Sequence, residues 1–223
     1  MLISIVVPML NEREHLEETL RALRAECDAR CEIIVVDGGS NDGTPELAEP
    51  LADQVFQGPR GRGYQLAAGA AVAQGDVLWF LHADTRVAPG ALRALREALE
   101  QGAEWGRFDV RLSGRARLLR LVEAMMNWRS RITGIATGDQ GIFVRSRVLE
   151  RVGGVPEQPL MEDIELSARL RRLGRPVCLP QLLTTSSRRW EERGIVRTVV
   201  LMWWLRAAYG CGVSSEQIER WYR

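Results

Sequence analysis

The sequence predicts an α/β domain with a mixed, mostly parallel central sheet flanked by helices. Three observations predict it. Ile33-Ile34-Val35-Val36 is an unbroken β-branched apolar run, which reads as a strand buried on both faces. It ends on Asp37, Gly38 and Gly39, and Thr44-Pro45-Glu46 then opens a helix, with Thr44 as N-cap and Pro45 at the first helical position. The same design recurs at Ile3–Val7, followed by Pro8, Asn11 and Glu12, and Asp76–Leu81 is a further apolar strand. A strand, a glycine-rich loop and a helix N-terminus in that order make a nucleotide site at the carboxyl edge of a parallel sheet.

The 223 residues suit one domain with a sizeable core, 46% hydrophobic and 26% charged. A net charge of +1 gives no electrostatic case for nucleic acid. All 30 basic residues are Arg, which excludes a Walker A loop, a Schiff base or any other lysine-dependent chemistry. The 4 cysteines form no zinc pattern and suit reduced thiols in a cytoplasmic protein. With 2 histidines, a multi-histidine metal site is not expected. Neither a signal peptide nor an apolar run of the ~20 residues needed for a transmembrane helix stands out.

Along the chain, Leu16, Leu20 and Leu23 give a helix from about Arg13 to Cys27 an apolar face. Asp37 ends the next strand. A carboxylate accepts but does not donate hydrogen bonds, so it suits a base N–H or a ribose hydroxyl and repels bare phosphate; ordinary turn chemistry is the alternative. Gln54–Gln57 reads as a short strand. Gly58-Pro59-Arg60-Gly61-Arg62-Gly63 opens an alanine-rich helix to about Ala73, and its sixth fingerprint position, Leu66, rules out a dinucleotide motif. The helix start with Arg60 and Arg62 suits a diphosphate; a solvated basic turn is the alternative. After the strand at Asp76–Leu81, His82-Ala83-Asp84-Thr85 offers Asp84 as a hard oxygen ligand for Mg²⁺ or Mn²⁺, or as a turn residue before a helix at Ala88–Leu99.

The second half reads as an extended segment from Gly102 to Gly114, an Arg-rich amphipathic helix at Leu118–Trp128, and a tight turn into a strand at Gly138–Arg145. A helix to about Leu173 begins with the acids Glu162 and Asp163. Thr185–Trp190 places an Arg pair beside a Trp. The helix at 118–128 is read as core-facing with snorkelling arginines, against a membrane-surface helix. Ile195–Tyr209 is read as either a buried or a membrane-interface helix, and Ser214-x-x-Gln217 as a capping box for a last helix.

The words Pro8-x-x-Asn11-Glu12, Val36-Asp37-Gly38-Gly39-Ser40-x-Asp42-Gly43-Thr44, His82-Ala83-Asp84, Glu162-Asp163 and Arg188-Arg189-Trp190 resemble the family-2 glycosyltransferases. Several are similar to a bacterial subgroup named for association with radical-SAM or selenium-related domains, some of whose members are labelled carotenoid-acid glycosyltransferases. The resemblance spans nearly the whole chain. It implies the GT-A nucleotide-diphospho-sugar fold, with residues 1–101 as the nucleotide half of a single domain and 102–223 as the acceptor half. It also implies an inverting, hexosyltransferase-like enzyme using a nucleotide-sugar, UDP-linked for preference, and a divalent metal.

By the same resemblance, Pro8, Asn11 and Glu12 border the nucleoside with Asp37, Asp84 holds the metal, and Arg62 and Arg189 meet the phosphates. Asp139 or Gln140 meets the sugar, Asp163 is the general base, and Glu162, Arg189 and Trp190 support it. His82 stands where the metal motif usually begins with an acid, which keeps a nucleotide-binding protein without transfer activity as an alternative. A second alternative is a peripheral membrane transferase with a lipid-like acceptor at the inner face of the membrane.

Overall fold

The computed structural model describes residues 1–222; the side chain of Arg189, and with it that residue's expected phosphate contact, lies outside the described residues. Among them run strands β1 (Ile3–Met9), β2 (Cys31–Asp37), β3 (Gln54–Gln57), β4 (Val77–Phe80), β5 (Arg86–Val87), β6 (Trp105–Leu112), β7 (Phe143–Arg145) and β8 (Val177–Thr185). They form one sheet in the order β3-β2-β1-β4-β7-β6-β8-β5. β3, β2, β1 and β4 are mutually parallel. β7 is antiparallel to β4 and β6, β6 is parallel to β8, and β5 is antiparallel to β8. The carboxyl ends of β1, β2, β4, β6 and β8 therefore share one edge. The chain winds outward from β1 to β3 and then crosses to β4 on the other side, so a topological switch point lies between β1 and β4.

The apolar runs are continuous because both sheet faces are covered. Ile3, Ile5, Val7 and Met9 of β1 pack with Leu16, Leu20 and Leu23 of α1 (Arg13–Glu26) and with Leu92, Leu95 and Leu99 of α4 (Ala91–Glu100). Val6, Ile34 and Val36 point to the opposite face, against Leu66 of α3 (Arg62–Val72) and Leu166 and Leu170 of α7 (Glu162–Arg171). This alternation is the pleat of a strand. Each fully buried Leu contributes ~1.5–3 kcal/mol by leaving water.

The helices after β2 and β6 differ from the sequence reading. Helix α2 (Thr44–Ala48) is preceded by Gly43 in the left-handed conformation, and Thr44 is its first residue rather than its cap. Asp42 Oδ1 accepts the Thr44 amide at 3.0 Å, which frees the Thr44 hydroxyl to accept the amide of Glu12 at 3.1 Å. Helix α5 (Arg117–Thr133) runs further than expected. Leu119 and Val122 are buried, but Leu121 is 56% and Trp128 67% exposed, so the core-facing reading holds for only one side of it.

Past α6 (Ser146–Arg151) and α7, the chain ends in α8 (Arg188–Arg193), α9 (Ile195–Gly210) and α10 (Ser215–Tyr222). The amide of Gln217 donates to Ser214 Oγ, as a cap requires. Helix α9 is buried on one side only: Leu205 and Thr198 are buried, while Trp203 is 59% and Trp204 50% exposed. Among the described residues no helix is long and apolar enough to cross a membrane.

Candidate active site

The site forms where the β1, β2 and β4 ends meet the N-termini of α3 and α7. β1–β4 pairing stops at Val6↔Phe80, so Pro8 lies beyond it and its missing N–H breaks no ladder bond. Asn11, in the left-handed conformation (φ 53°), accepts the Asn41 amide at 3.0 Å through its side chain, and its own amide donates to Ser40 Oγ at 2.9 Å. The loops after β1 and β2 are thereby tied together. Asp37 anchors the second loop, accepting the amides of Gly39 and Ser40 at 3.0 Å and the Ser40 hydroxyl at 2.5 Å. Beneath them the buried Gln65 of α3 donates to Met9 O and Val36 O, both at 2.8 Å, and holds the two strand ends at fixed spacing.

Glu12, directly after Asn11, is half-buried. Burial and the charge of Asp84 raise its pKa, against the charges of Arg188, His15 and His82. Glu12 and Asp84 thus share the switch point. Asp84 is half-buried and accepts the Thr185 hydroxyl at 3.3 Å, which brings the end of β8 to the site. Neighbouring His82 places Nδ1 3.1 Å from Asp139 Oδ1, while its buried Nε2 has no hydrogen-bond partner. A Cβ on Gly138 would collide with that nitrogen, which accounts for the glycine before Asp139.

Opposite stands the pair Glu162–Asp163. Met161, in the left-handed conformation (φ 66°), turns the chain so that α7 starts at the site. Both non-glycine left-handed residues among those described, Asn11 and Met161, immediately precede a carboxylate of this cleft. Glu162 is 2% exposed and neither carboxylate oxygen has a hydrogen-bond partner. Burial pushes its pKa up to about 7, against the lowering influence of Arg62. Arg62 Nε lies 3.7 Å from Glu162 Oε1. Burial would lower the Arg62 pKa, but the charges of Glu162, Asp139, Asp163 and Asp84 hold it above its ordinary value. The approach needs Gly63, where a Cβ would strike the carbonyls of Pro156 and Gln158. Asp163 Oδ2 accepts the Gly138 amide at 2.8 Å and Oδ1 the Ile164 amide at 2.7 Å, so it braces the turn carrying Asp139.

Pro8, Asn11, Glu12, Asp37, Arg62, Asp84, Asp139, Glu162 and Asp163 thus gather at one edge. Gln140 does not face it. It is fully buried, its amide donates to Ser130 Oγ at 2.9 Å and its carbonyl oxygen accepts the Thr137 amide at 3.2 Å, so it braces the turn from inside rather than meeting a sugar. Trp190 is half-buried and packs with Leu112, Leu119, Val122, Ile195 and Val199.

Three residues given no role of their own from the sequence complete the surroundings. Arg188 lies 3.6 Å from Glu14 and bears on Glu12. Arg129 of α5 and Arg206 of α9 both feel the charge of Asp163. An arginine within the apolar run of α9 was the available signal for Arg206; Arg129 was hidden among the other arginines of α5.

Among the described residues no three His, Cys, Asp or Glu side chains converge as a metal cage. Mg²⁺ and Mn²⁺ sites built on one or two carboxylates and substrate phosphates need no such cage. Asp84, with Thr185 as its one hydrogen-bond partner among the described residues and Glu12 nearby, fits that kind of site.

The model of the family described as glycosyl transferase family 2 matches residues 4–148. The undecaprenyl-phosphate 4-deoxy-4-formamido-L-arabinose transferase of Pseudomonas syringae pv. syringae is 32% identical over 163 residues, covering 65% of this chain and 46% of that protein. Its counterpart in Pseudomonas aeruginosa (strain LESB58) is 30% identical over 164 residues, with the same 65% and 46% coverage. The chain spans a little under half the length of these relatives. Among solved structures, S. aureus TarS 1–349 superposes with a TM-score of 0.69 at 19% identity, over 84% of this chain and 61% of that one. The Pyrobaculum calidifontis mannosyltransferase PcManGT, in complex with GDP-Man and Mn²⁺, gives 0.61 at 23% identity, over 82% and 56%. Glucosyl-3-phosphoglycerate synthase from Mycobacterium tuberculosis, with Mn²⁺ and UDP-glucose, gives 0.60 at 22% identity, over 82% and 70%. These structures are GT-A glycosyltransferases, and this chain has their fold.

Proposed function

Since the chain belongs to glycosyl transferase family 2, we propose that its cleft moves a sugar from a nucleotide-sugar, UDP-linked for preference, to an acceptor with inversion at the anomeric carbon. The observation that carries this is the meeting of Glu12, Asp84, Arg62 and Asp163 at the β1/β4 switch point, with acids and a cation on opposing walls. Asp37 and Glu12 border the nucleoside with Pro8 and Asn11. Arg62, at the N-terminus of α3, takes the diphosphate, whose charge grows as the glycosidic bond breaks. Asp139 contacts the sugar. Asp163 accepts the proton of an acceptor hydroxyl as its oxygen bonds to the anomeric carbon and the diphosphate departs from the other face.

Asp84 would hold a divalent ion, which when bound neutralises the diphosphate. GDP-Man or UDP-glucose together with Mn²⁺ in two structural neighbours supports that reading. The test is thermal shift with a panel of nucleotide-sugars, with and without Mn²⁺. A ligand at a hundred times its dissociation constant stabilises by ~2.7 kcal/mol; absence of any shift across the panel overturns the donor assignment.

A second reading places the enzyme at the cytoplasmic face of a membrane with a lipid-like acceptor. The exposed Trp128, Trp203 and Trp204 favour it, and two relatives are named for transfer to undecaprenyl phosphate. The finer resemblance, to the subgroup named for association with radical-SAM or selenium-related domains, belongs to this proposal and assigns no acceptor.

A further inference from the structure

Two arginines on the acceptor side of Asp163 lack the anion their surroundings call for. Helices α5 and α9 pack together through Leu119, Val122 and Met126 against Ile195 and Val199. This packing brings Arg129 within range of the Arg206 charge, and both within range of Asp163. Other arginines of α5 are paired: Arg131 with Asp109 at 2.6 Å and Arg120 with Glu123 at 3.4 Å. Among the described residues neither Arg129 nor Arg206 makes an ion pair or a side-chain hydrogen bond, and Arg129 Nη2 is fully buried with no partner. Burial and the neighbouring Arg206 lower the Arg129 pKa to about 10; burial lowers that of Arg206, against Asp163 and Asp139. Two partly buried like charges with unused donors form a costly arrangement that an anion between them would relieve.

We propose that Arg129 and Arg206 form a subsite for a phosphate monoester carried by the acceptor. A phosphate monoester bears close to two negative charges at neutral pH, and guanidinium groups match its oxygens with forked donors. The pair comes from α5 and α9, whereas Arg62 opens α3, so the subsite is built from other elements than the donor diphosphate site while serving the same transfer. It rests on the glycosyltransferase reading of the cleft. The exposed Leu121, Trp128, Val200 and Trp203 on the same two helices supply apolar ground suited to a prenyl chain, which selects the probe below.

The test is calorimetric titration of the whole chain, with UDP and Mn²⁺ present, using two probes: inorganic phosphate, and a C15 isoprenyl monophosphate in neutral detergent micelles. The expected result is saturable binding that phosphate competes for and that weakens with salt. Arg129→Gln and Arg206→Gln should each weaken it roughly tenfold or more, with partial rescue in Arg206→Lys. Melting temperature and UDP affinity, measured on the same variants, exclude misfolding. Tighter binding of the isoprenyl probe assigns the phosphate to a lipid; equal affinity for both assigns it to a soluble phosphate ester and keeps the subsite. No binding of either probe, or binding unchanged in both Gln variants, overturns the proposal. Phosphate binding without UDP binding would overturn only the transferase reading.

Discussion

Arg62 Nε lies 3.7 Å from Glu162 Oε1, across the boundary between the two halves of the chain. Arg62 opens α3 in the half that holds the strand ends of β1 and β2; Glu162 opens α7 in the half that carries Asp139 and Asp163. The contact therefore joins the proposed phosphate-binding cation to the wall bearing the proposed base. Because Glu162 is almost fully buried without a hydrogen bond, the arginine is what opposes its protonation.

That contact predicts a pH dependence. Glu162 has a folded pKa of about 7, above the ordinary glutamate value of 4.5. Between those values the folded state binds more protons than the unfolded state, so this group's share of stability falls as pH rises through the window. Glu162→Gln should flatten that part of the melting-temperature profile. Arg62→Gln should move the fall to higher pH, since it removes the charge that lowers the Glu162 pKa. Identical pH profiles in wild type and Glu162→Gln would show that Glu162 does not titrate there.

A metal prediction follows from Asp84. UDP should bind more tightly with Mn²⁺ or Mg²⁺ than in EDTA, and Asp84→Ala should bind UDP with the same affinity in both. Thr185→Val, which removes the hydroxyl that donates to Asp84, should leave the metal response in place. Equal nucleotide affinity of the wild type with metal and with chelator would take Asp84 out of this role.

Asp37 needs two variants, because its carboxylate already organises a loop. Asp37→Asn should weaken uridine nucleotides by roughly 1–3 kcal/mol, the range for hydrogen bonds to a charged group. It should also loosen the turn, since Asp37 accepts bonds from Gly39 and Ser40. Ser40→Ala removes only part of the loop's bonding. A loss of UDP affinity in Asp37→Asn well beyond that in Ser40→Ala assigns the carboxylate to the nucleoside; equal losses assign it to the loop.

Much of this architecture was legible because its physics is local. The β2 run, the glycines after it and the alanine-rich helix from Arg62 each signal their structure within a few residues, and Gln54–Gln57 lies where it was expected. The acids at Glu12, Asp84 and Asp163 could be named because each stands at a strand end or a helix start. What failed depends on packing between distant segments. Gln140 and Asp139 are neighbours in sequence, yet only the contact with Asn127 and Ser130 of α5 decides which of them turns inward. Thr44 read as a cap because Asp42 can supply the same bond from two residues earlier. Arg129 and Arg206 lie 77 positions apart, and nothing in either helix alone indicates that both come within range of Asp163.

The sharpest prediction concerns Asp163. Asp163→Asn keeps the size of the side chain, and its carbonyl oxygen can still accept one of the two amides now bound, from Gly138 or Ile164. It cannot take a proton at neutral pH. If Asp163 removes the proton of an acceptor hydroxyl, transfer should fall by ~10²–10⁴ while UDP affinity holds, because the proposed nucleoside contacts lie at the ends of β1 and β2. Glu162→Gln should cost less turnover, since its carboxylate is buried behind Arg62. A purely structural role for the pair predicts instead similar, small losses of melting temperature in both variants and little change in turnover. The attacking atom sets a further distinction. A hydroxyl must lose its proton during attack, whereas a phosphate oxygen is already ionised at neutral pH. Release of UDP, measured with a competent acceptor beside the melting temperature, separates these cases. A fall of less than about tenfold in Asp163→Asn, short of what a general base contributes, would remove it as the base and leave it as the brace of the Gly138 turn.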